Sequence, residues 1–393
     1  MPVNWEQLHT TLHDVGRTLE AQAAAVRNAQ AAALGCLHKY AEDLDAAERV
    51  AAVVSGFDAD LRCALPAAQR LDASYARVAS EAPKVIVAAD GSQVTPDRHD
   101  QVQFGVVNIG TVTMGMGSEQ APSISTDTEI LYGDSLYLRS GMRMSEGDIA
   151  LQRDRKERAS LLSIAQRGPV PAIALTDGPL ELWGAKDVSD PQAFEAALRD
   201  YLADLKELQR LGCTVAGYVD KPAADLVVRL FEVLEAGTED VQKLRAYHPL
   251  RGASDRWLFG RILPSGHRSA VFGIQSSSRR QYTGDLALHF FYLNVGTPGH
   301  PAIARIEVSK RVAESADRLG GLHAVLLEQC SLLGARPYPY ILHRAHETAR
   351  ITLDEKEEIQ LRLMLDLREA GMEIEDASGK SAAKLRASLK GSY

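Results

Sequence analysis

Two short apolar runs in this sequence each end in the dipeptide Asp-Gly. The run VIVAADG ends at Asp90 and Gly91, and the run PAIALTDG ends at Asp177 and Gly178. In an open α/β sheet, the carboxyl ends of the strands form the edge at which ligands bind. We therefore predict an α/β protein in which Asp90 and Asp177 meet at one edge of a sheet. Asp-Gly is also common in turns, so either aspartate alone would be read as a turn or helix-cap residue.

The residues between and after these runs alternate between strand-like and helix-like spacing. Such alternation indicates an α/β domain with a mixed sheet, and we find no internal repeat. Strands are predicted at 85–89, 101–114, 171–178, 213–220, 257–263, 269–274, 285–295 and 302–308, and helices at 145–167, 191–211, 223–235, 309–333 and from Asp354 onward.

The N-terminal eighty residues have a helical character throughout. Apolar residues recur there in steps of three and four, first from Trp5 to Leu19 and then from Leu44 to Leu61. This spacing predicts two amphipathic helices that form a helical hairpin with a coiled-coil-like seam. We interpret residues 1–80 as an arm for packing or dimerisation.

The C-terminal end has a different composition. Residues 377–393 contain four basic residues and no acid, which predicts a flexible basic tail. The tail includes the letters GKS, but the glycine that a phosphate-binding loop needs five positions earlier is Ile374. We therefore exclude a nucleotide site there and assign residues 81–376 to the main α/β domain, with C-terminal helices.

Composition places the chain among soluble globular proteins. Of its 393 residues, 45% are hydrophobic and 24% charged, and no segment resembles a signal peptide or a membrane span. We expect a cytoplasmic protein. The four cysteines form no CxxC pair and fit reduced, buried thiols. The net charge of −8 argues against a protein that coats nucleic acid with its whole surface, but it allows an enzyme that concentrates acids around metal ions.

A third acidic candidate lies between the two aspartates, in the segment RDRKERASLL. Glu157 shares a predicted helix there with Arg153, Arg155, Lys156 and Arg158. Alone, Glu157 would be a charge on a solvated helix face. Together with Asp90 and Asp177, it completes a set of hard oxygen ligands of the kind that binds Mg²⁺ or Mn²⁺. The neighbouring arginines suit a substrate that carries phosphate.

A histidine-containing segment, RPYPYILHRAHETARI, lies near the end of the predicted α/β domain. His343 and His346 are three positions apart on a predicted helix, and Tyr338 precedes them. A lone histidine is most often structural. Beside carboxylates, however, one imidazole would complete a manganese site, because nitrogen ligands suit Mn²⁺ better than Mg²⁺. The spacing alone does not decide between His343 and His346.

These motifs occur in an order that resembles the NurA nuclease family. The shared features are DGS after the first core strand, a glutamate on the next helix, a strand ending in TDG, and a closing YP…AH pattern, over about residues 83–352. The resemblance implies an RNase H-like core and a manganese-dependent deoxyribonuclease. Such an enzyme would digest single-stranded or duplex DNA as a 5'-3' exonuclease, an endonuclease or both. The resemblance also implies a homodimer that works with a hexameric HerA ATPase in DNA end resection and repair.

Carried over to this sequence, the resemblance makes Asp90, Glu157 and Asp177 the metal ligands. It adds His346 as a further ligand and places Tyr338 at the site. Because Asp177 lies twenty positions after Glu157, a longer spacing than the family suggests, Glu146 and Glu181 are alternative glutamates. We expect two-metal hydrolysis, with Asp90 bridging two ions.

Three basic residues are candidates for DNA contacts. These are Arg153, Lys221 in GYVDKP and Arg268 in LPSGHRSAVF, all of which would otherwise be read as surface charges. No GxSxG elbow or catalytic cysteine motif occurs, so covalent catalysis is disfavoured. Two alternatives stay open: an inactive DNA-binding or adaptor subunit of a HerA-type complex, and an RNase H-like enzyme that acts on RNA or performs strand transfer.

Overall fold

The computed structural model describes residues 4–43, 45–78, 85–98, 100, 102–168, 172–184 and 186–371. Contacts group the chain into two compact units. We call them the first unit, Met1–Glu81 with Gly217–Tyr338, and the second unit, Ala82–Ala216 with Pro339–Tyr393. The predicted domains 1–80, 81–376 and 377–393 stay a prediction, because a packing unit is not necessarily a domain. The tail at 377–393 lies outside the described residues.

The described residues form eleven α-helices and eleven strands. The helices are α1 Trp5–Lys39, α2 Ala46–Gly56, α3 Glu146–Arg167, α4 Pro191–Arg210, α5 Leu226–Glu235, α6 Thr238–Val241, α7 Asp255–Ile262, α8 Lys310–Ala313, α9 Ala316–Ser331, α10 Tyr340–Ala349 and α11 Leu353–Glu369. The strands are β1 Cys63–Pro66, β2 Ser74–Tyr75, β3 Val85–Val94, β4 Phe104–Gly115, β5 Ser123–Tyr132, β6 Ala172–Asp177, β7 Thr214–Val219, β8 Arg268–Ser269, β9 Phe272–Gln275, β10 Leu288–Asn294 and β11 Ile303–Ser309.

The second unit is built on a mixed sheet. Its strands follow the order β5-β4-β3-β6, with β3, β4 and β5 antiparallel and β6 parallel to β3. Three antiparallel strands with a parallel strand beside the first is the order expected of an RNase H-like core. The predicted α/β class with a mixed sheet is therefore confirmed.

The two faces of this sheet carry different helices. Residues directly opposite each other in an antiparallel pair point to the same face, and successive residues of one strand point to opposite faces. Asp90 pairs with Gly110, and Ser92 pairs with Asn108, so these four residues share one face. Helix α10 packs on that face. Gly91 faces the other side, where α3 lies.

The first unit contains an antiparallel sheet with an aromatic core. Strands β1, β9, β10 and β11 are neighbours in that order, and β8 pairs with β2 and β10. The rings of Phe259 and Tyr292 stack at 4.5 Å between centroids, and those of Phe272 and Phe290 at 5.4 Å. Helices α1 and α2 also belong to this unit. The C-terminal half of α1 is buried at Ala33 and Leu37, whereas Trp5 and Leu19 remain exposed.

One buried carboxyl group organises the helices of the first unit. Asp255, at the start of α7, is fully buried, and its oxygens accept hydrogen bonds from the amides of Val227 and Val228, both at 2.8 Å. These amides belong to the first turn of α5, where backbone donors have no intrahelical partner. The hydroxyl of Tyr292 also donates to Asp255, at 2.6 Å. Burial raises the pKa of Asp255 to about 6.

Most predicted elements are confirmed, but several boundaries and two assignments are wrong. Residues 1–80 are not wholly helical, because they also form β1 and β2, which pair with β9 and β8. The segment 257–263 is helical rather than a strand, because the Ser254 side chain caps α7 by accepting from the Trp257 amide. The predicted helix 309–333 is divided into α8 and α9, and Ser315 caps the second. Strand β5 was not predicted, because most of its residues are polar and exposed.

The prediction about the cysteines has a clear outcome. All four cysteines are buried free thiols, which confirms the prediction of reduced thiols. Among the helices that the structure describes, none combines the length and the hydropathy that a bilayer span requires.

We predict that Asp255→Ala destabilises the protein by about 3 kcal/mol or more, because the buried amides of Val227 and Val228 would lose their acceptor. Urea denaturation followed by circular dichroism measures this change. The matched control is Asp354→Ala, which removes an exposed acid at the start of α11 and should change stability by about 0.5 kcal/mol or less. Equal stabilities of the two variants would contradict the role of Asp255.

Candidate active site

The second unit contains an open cavity of about 530 Å³ that is lined mainly by charged and polar side chains. Four of the predicted ligands, together with the predicted DNA contact Arg153, meet there. The lining residues are Asp90, Gly91, Arg153, Asp154, Glu157, Arg158, Thr176, Asp177, Pro179, Glu181, Leu182, Trp183, Tyr201 and His346.

Asp90 lies within a strand and not at its end, which corrects the prediction of a strand over 85–89. Strand β3 continues to Val94, because its antiparallel pairing with β4 extends that far. The parallel pairing with β6, in contrast, stops at Ala89 opposite Thr176. Asp90 is thus the first residue of β3 beyond the last paired residue of β6. Its carboxyl group gains access to the cavity where the neighbouring strand ends.

The imidazole of His346 contacts the carboxyl group of Asp90. The distance between His346 Nδ1 and Asp90 Oδ2 is 2.7 Å. His343, the alternative on the same helix, has its Nε2 atom 3.4 Å from a carboxyl oxygen of Glu347 instead. Of the two candidates, the structure brings His346 to the acids.

Helix α10 holds His346 in place through direct contact with the sheet. A Cβ atom on Gly110 would lie 2.5 Å from the backbone nitrogen of Ala349 and 2.6 Å from the carbonyl oxygen of Ala345. Only glycine permits this approach. The carbonyl of Ala349 also accepts hydrogen bonds from Ser92 Oγ at 2.5 Å and Asn108 Nδ2 at 2.8 Å. Gly110 was not among the predicted site residues, although a glycine within a strand is a signal of close backbone approach.

Glu157 approaches the same region from the other face of the sheet. Its Oε1 atom would lie 2.7 Å from a Cβ atom on Gly91, so the glycine of the Asp-Gly pair makes room for it. Burial, and after it the negative charges of Asp154 and Asp90, raise the pKa of Glu157 well above its usual range. Such a shift is typical of functional carboxyl groups.

Helix α3 brings three further charged residues to the cavity, of which Asp154 was not among the predicted site residues. Asp154 lies three residues before Glu157, and its pKa is raised, chiefly by burial. Arg153 donates to Asp154 at 2.7 Å and lies 3.6 Å from Glu157. The buried Arg158 donates to the hydroxyl of Tyr201 at 2.9 Å. The predicted DNA contact Arg153 is therefore engaged by the acids of its own helix.

The last residue of β6 and the segment after this strand supply the other acids. Asp177 is the last residue of β6 and is exposed. Glu181, one of the alternative glutamates, is buried and lines the cavity. Glu146, the other alternative, is exposed at the start of α3 and is not among the lining residues that the structure describes.

Three predicted residues lie in the first unit. The ring of Tyr338 packs edge-on against Tyr218 at 5.4 Å between centroids. Arg268 lies over the ring of Tyr75, with its guanidinium carbon 4.2 Å from the ring centroid. Lys221 is exposed, with its Nζ atom 3.7 Å from Asp220. The predicted position of Tyr338 at the catalytic site and the predicted DNA contacts of Lys221 and Arg268 stay predictions.

The side chains of the cavity fit a divalent cation in their chemical type. Five carboxyl groups and one imidazole line it, and oxygen ligands with an added nitrogen suit Mg²⁺ and, better, Mn²⁺. Among the described residues, however, no group of three or more His, Cys, Asp and Glu side chains is arranged to hold an ion. The acids contact side chains of the protein instead: Asp90 contacts the imidazole of His346, and Asp154 contacts the guanidinium group of Arg153.

Comparison with known proteins gives one family. The model of the NurA domain matches residues 84–351, more than half of the chain. The chain is similar to the crystal structure of the NurA nuclease from Sulfolobus solfataricus, at 14% identity and a TM-score of 0.49, over 76% of this chain and 88% of that chain.

Two other solved structures are less similar. The catalytic domain of human endonuclease V has 14% identity and a TM-score of 0.33, over 72% of this chain and 86% of that chain. Drosophila Piwi has 12% identity and a TM-score of 0.30, over 67% of this chain and 29% of that chain. A search of curated proteins found no match.

We predict that Gly110→Ala destabilises the protein by about 1–3 kcal/mol and separates His346 from Asp90, because the added Cβ atom would collide with the backbone of α10. Urea denaturation measures the first effect, and a crystal structure of the variant the second.

The matched control for this prediction is Gly35→Ala, which adds a Cβ atom in open space on α1. Its stability should be unchanged or slightly increased, because alanine favours a helix by up to about 1 kcal/mol over glycine. A Gly110→Ala variant with wild-type stability and an intact contact between His346 and Asp90 would refute the anchoring role of Gly110.

Proposed function

We propose that this chain, which belongs to the NurA family, is a metal-dependent deoxyribonuclease that hydrolyses the phosphodiester bonds of DNA. The observation that carries the proposal is the shared cavity of Asp90, Glu157, Asp177 and His346. These four residues come from a strand, a helix, a second strand and a second helix, which are far apart in sequence. Their convergence is what a site for hydrolysis of a phosphodiester would require.

In this proposal, Asp90, Glu157 and Asp177 are the metal ligands, His346 adds a nitrogen ligand, and the metal is Mn²⁺, with Mg²⁺ a weaker substitute. Metal ions held by these residues would supply activation of a water molecule and stabilisation of the charge on the leaving oxygen. Asp90 is the central acid, because it contacts His346 directly and its charge also acts on Glu157. Arg153 balances part of the negative charge of Asp154 and Glu157.

The biological setting follows from the same family membership. We propose that the protein is cytoplasmic, acts on single-stranded and duplex DNA during end resection and repair, and works with a hexameric HerA-type ATPase. We also propose a homodimer. The exposed apolar residues Trp5, Leu12, Val15 and Leu19 support a dimer, because they follow the spacing of a coiled-coil seam on α1.

A nuclease assay tests the proposal. Labelled single-stranded DNA, duplex DNA and RNA are incubated with the protein in the presence of Mn²⁺, Mg²⁺ or a chelator. We predict that cleavage of DNA needs the metal and is fastest with Mn²⁺. Asp90→Ala and Asp177→Ala should each lower the rate about 100-fold or more, the loss expected when an interaction of about 2.7 kcal/mol with the transition state disappears.

The control variant is Asp134→Ala, which removes an exposed acid of the second unit from outside the cavity and should keep wild-type activity. Circular dichroism would verify that all three variants remain folded. Full activity in Asp90→Ala, or cleavage that persists in the chelator, would refute the assignment. DNA binding without cleavage in every metal would favour the adaptor alternative, and a preference for RNA would favour the other RNase H-like enzyme.

A further inference from the structure

The loop that follows β6 holds one large aromatic side chain in solvent at the cavity. Leu180, Glu181 and Leu182 are nearly buried, with 1%, 6% and 7% of their surface exposed. Trp183, the next residue, is 51% exposed and lines the cavity. The loop therefore buries three consecutive side chains and leaves the indole of Trp183 exposed at the cavity wall.

A chain of two hydrogen bonds connects one residue of this loop, Leu180, to two helices of the second unit. The carbonyl of Leu180 accepts from the hydroxyl of Tyr201 on α4, at 2.9 Å. That hydroxyl in turn accepts from Arg158 on α3, also at 2.9 Å. Both Tyr201 and Arg158 are nearly buried. The backbone is therefore anchored three residues before Trp183.

The charges of the cavity explain why an aromatic contact would matter for a nucleic acid. Five carboxyl groups line the cavity, whereas the side chains of Arg153 and Arg158 already bind groups of the protein. A phosphate backbone that approaches these acids is repelled. An indole attracts the face of a base by stacking, and this attraction does not depend on charge.

We infer that Trp183 stacks on an unpaired base of the bound strand and thereby favours single-stranded DNA or frayed ends at this site. The inference rests on the proposed nuclease function for the identity of the ligand. In duplex DNA, both faces of an internal base are covered by its neighbours, so only an unpaired or terminal base offers a free face. Stacking is tolerant of sequence, because every base has such a face.

Fluorescence quenching tests the inference without any need for catalysis. The chain has three tryptophans, and both Trp5 and Trp183 are exposed. Wild-type protein is titrated with a short oligothymidylate in EDTA, and its tryptophan fluorescence is recorded. We predict that the oligonucleotide quenches the emission of the wild type and of Trp5→Phe, but that Trp183→Phe loses most of this quenching.

A binding measurement with labelled oligonucleotide gives the size of the effect. Trp183→Ala should bind the single strand about 10-fold more weakly, and Trp183→Phe should retain part of the affinity, because a smaller ring still stacks. Binding of blunt duplex DNA should change much less. Thermal unfolding of each variant verifies that the fold is kept.

The outcomes separate this inference from the proposed function. If DNA is cleaved but neither quenching nor affinity depends on Trp183, the inference is wrong and the nuclease assignment stands. If Trp183 controls binding but no DNA is cleaved, the stacking site stands and the nuclease assignment fails. Equal losses of affinity for single-stranded and blunt duplex DNA would overturn the proposed preference for unpaired bases.

Discussion

The candidate site depends on a close backbone contact between α10 and β4 at Gly110. The side chain of His346 is 62% exposed, so its own packing does not determine where it lies. Its position is set instead by the helix that carries it, which approaches the sheet at Gly110 and is bound through Ser92 and Asn108 at its C-terminal end. A residue with any side chain at Gly110 would move the helix outward, and the imidazole would move with it.

The acids on the other face of the sheet are held by a different balance of forces. Burial of Glu157 and Asp154 disfavours their charged forms. The negative charge of Asp90 raises the pKa of both residues further, and the charge of Asp154 also raises the pKa of Glu157. Arg153 offsets part of this cost, and Gly91 leaves the space in which Glu157 and Arg153 lie beside the strand. Such an arrangement is costly for a fold, and raised pKa values of this kind are typical of functional sites.

Local patterns predicted the α/β class, most of the elements and the three acids Asp90, Glu157 and Asp177, whereas His346 was chosen over His343 through the resemblance to the NurA family. The apolar runs before Asp90 and Asp177 identified the strands, and the three-residue spacing of His343 and His346 fits the helix α10. The continuation of β3 past Asp90 was not predicted, because it depends on pairing with β4, a distant segment. The strand predicted at 257–263 failed because a short apolar run reads equally well as a helix. No local pattern could indicate that Tyr338, Lys221 and Arg268 belong to the first unit.

The end of β6 determines which residues reach the cavity. Because β6 stops beside Asp90, residues from both faces of the sheet reach the same space, α10 from one side and α3 from the other. The chain that leaves β6 must then cross this opening, and within seven residues it supplies Asp177, Glu181 and Trp183. One of the acids proposed for catalysis, Asp177, and the ring proposed for base stacking are thus carried by one short segment. A change in the path of that segment would move both side chains together.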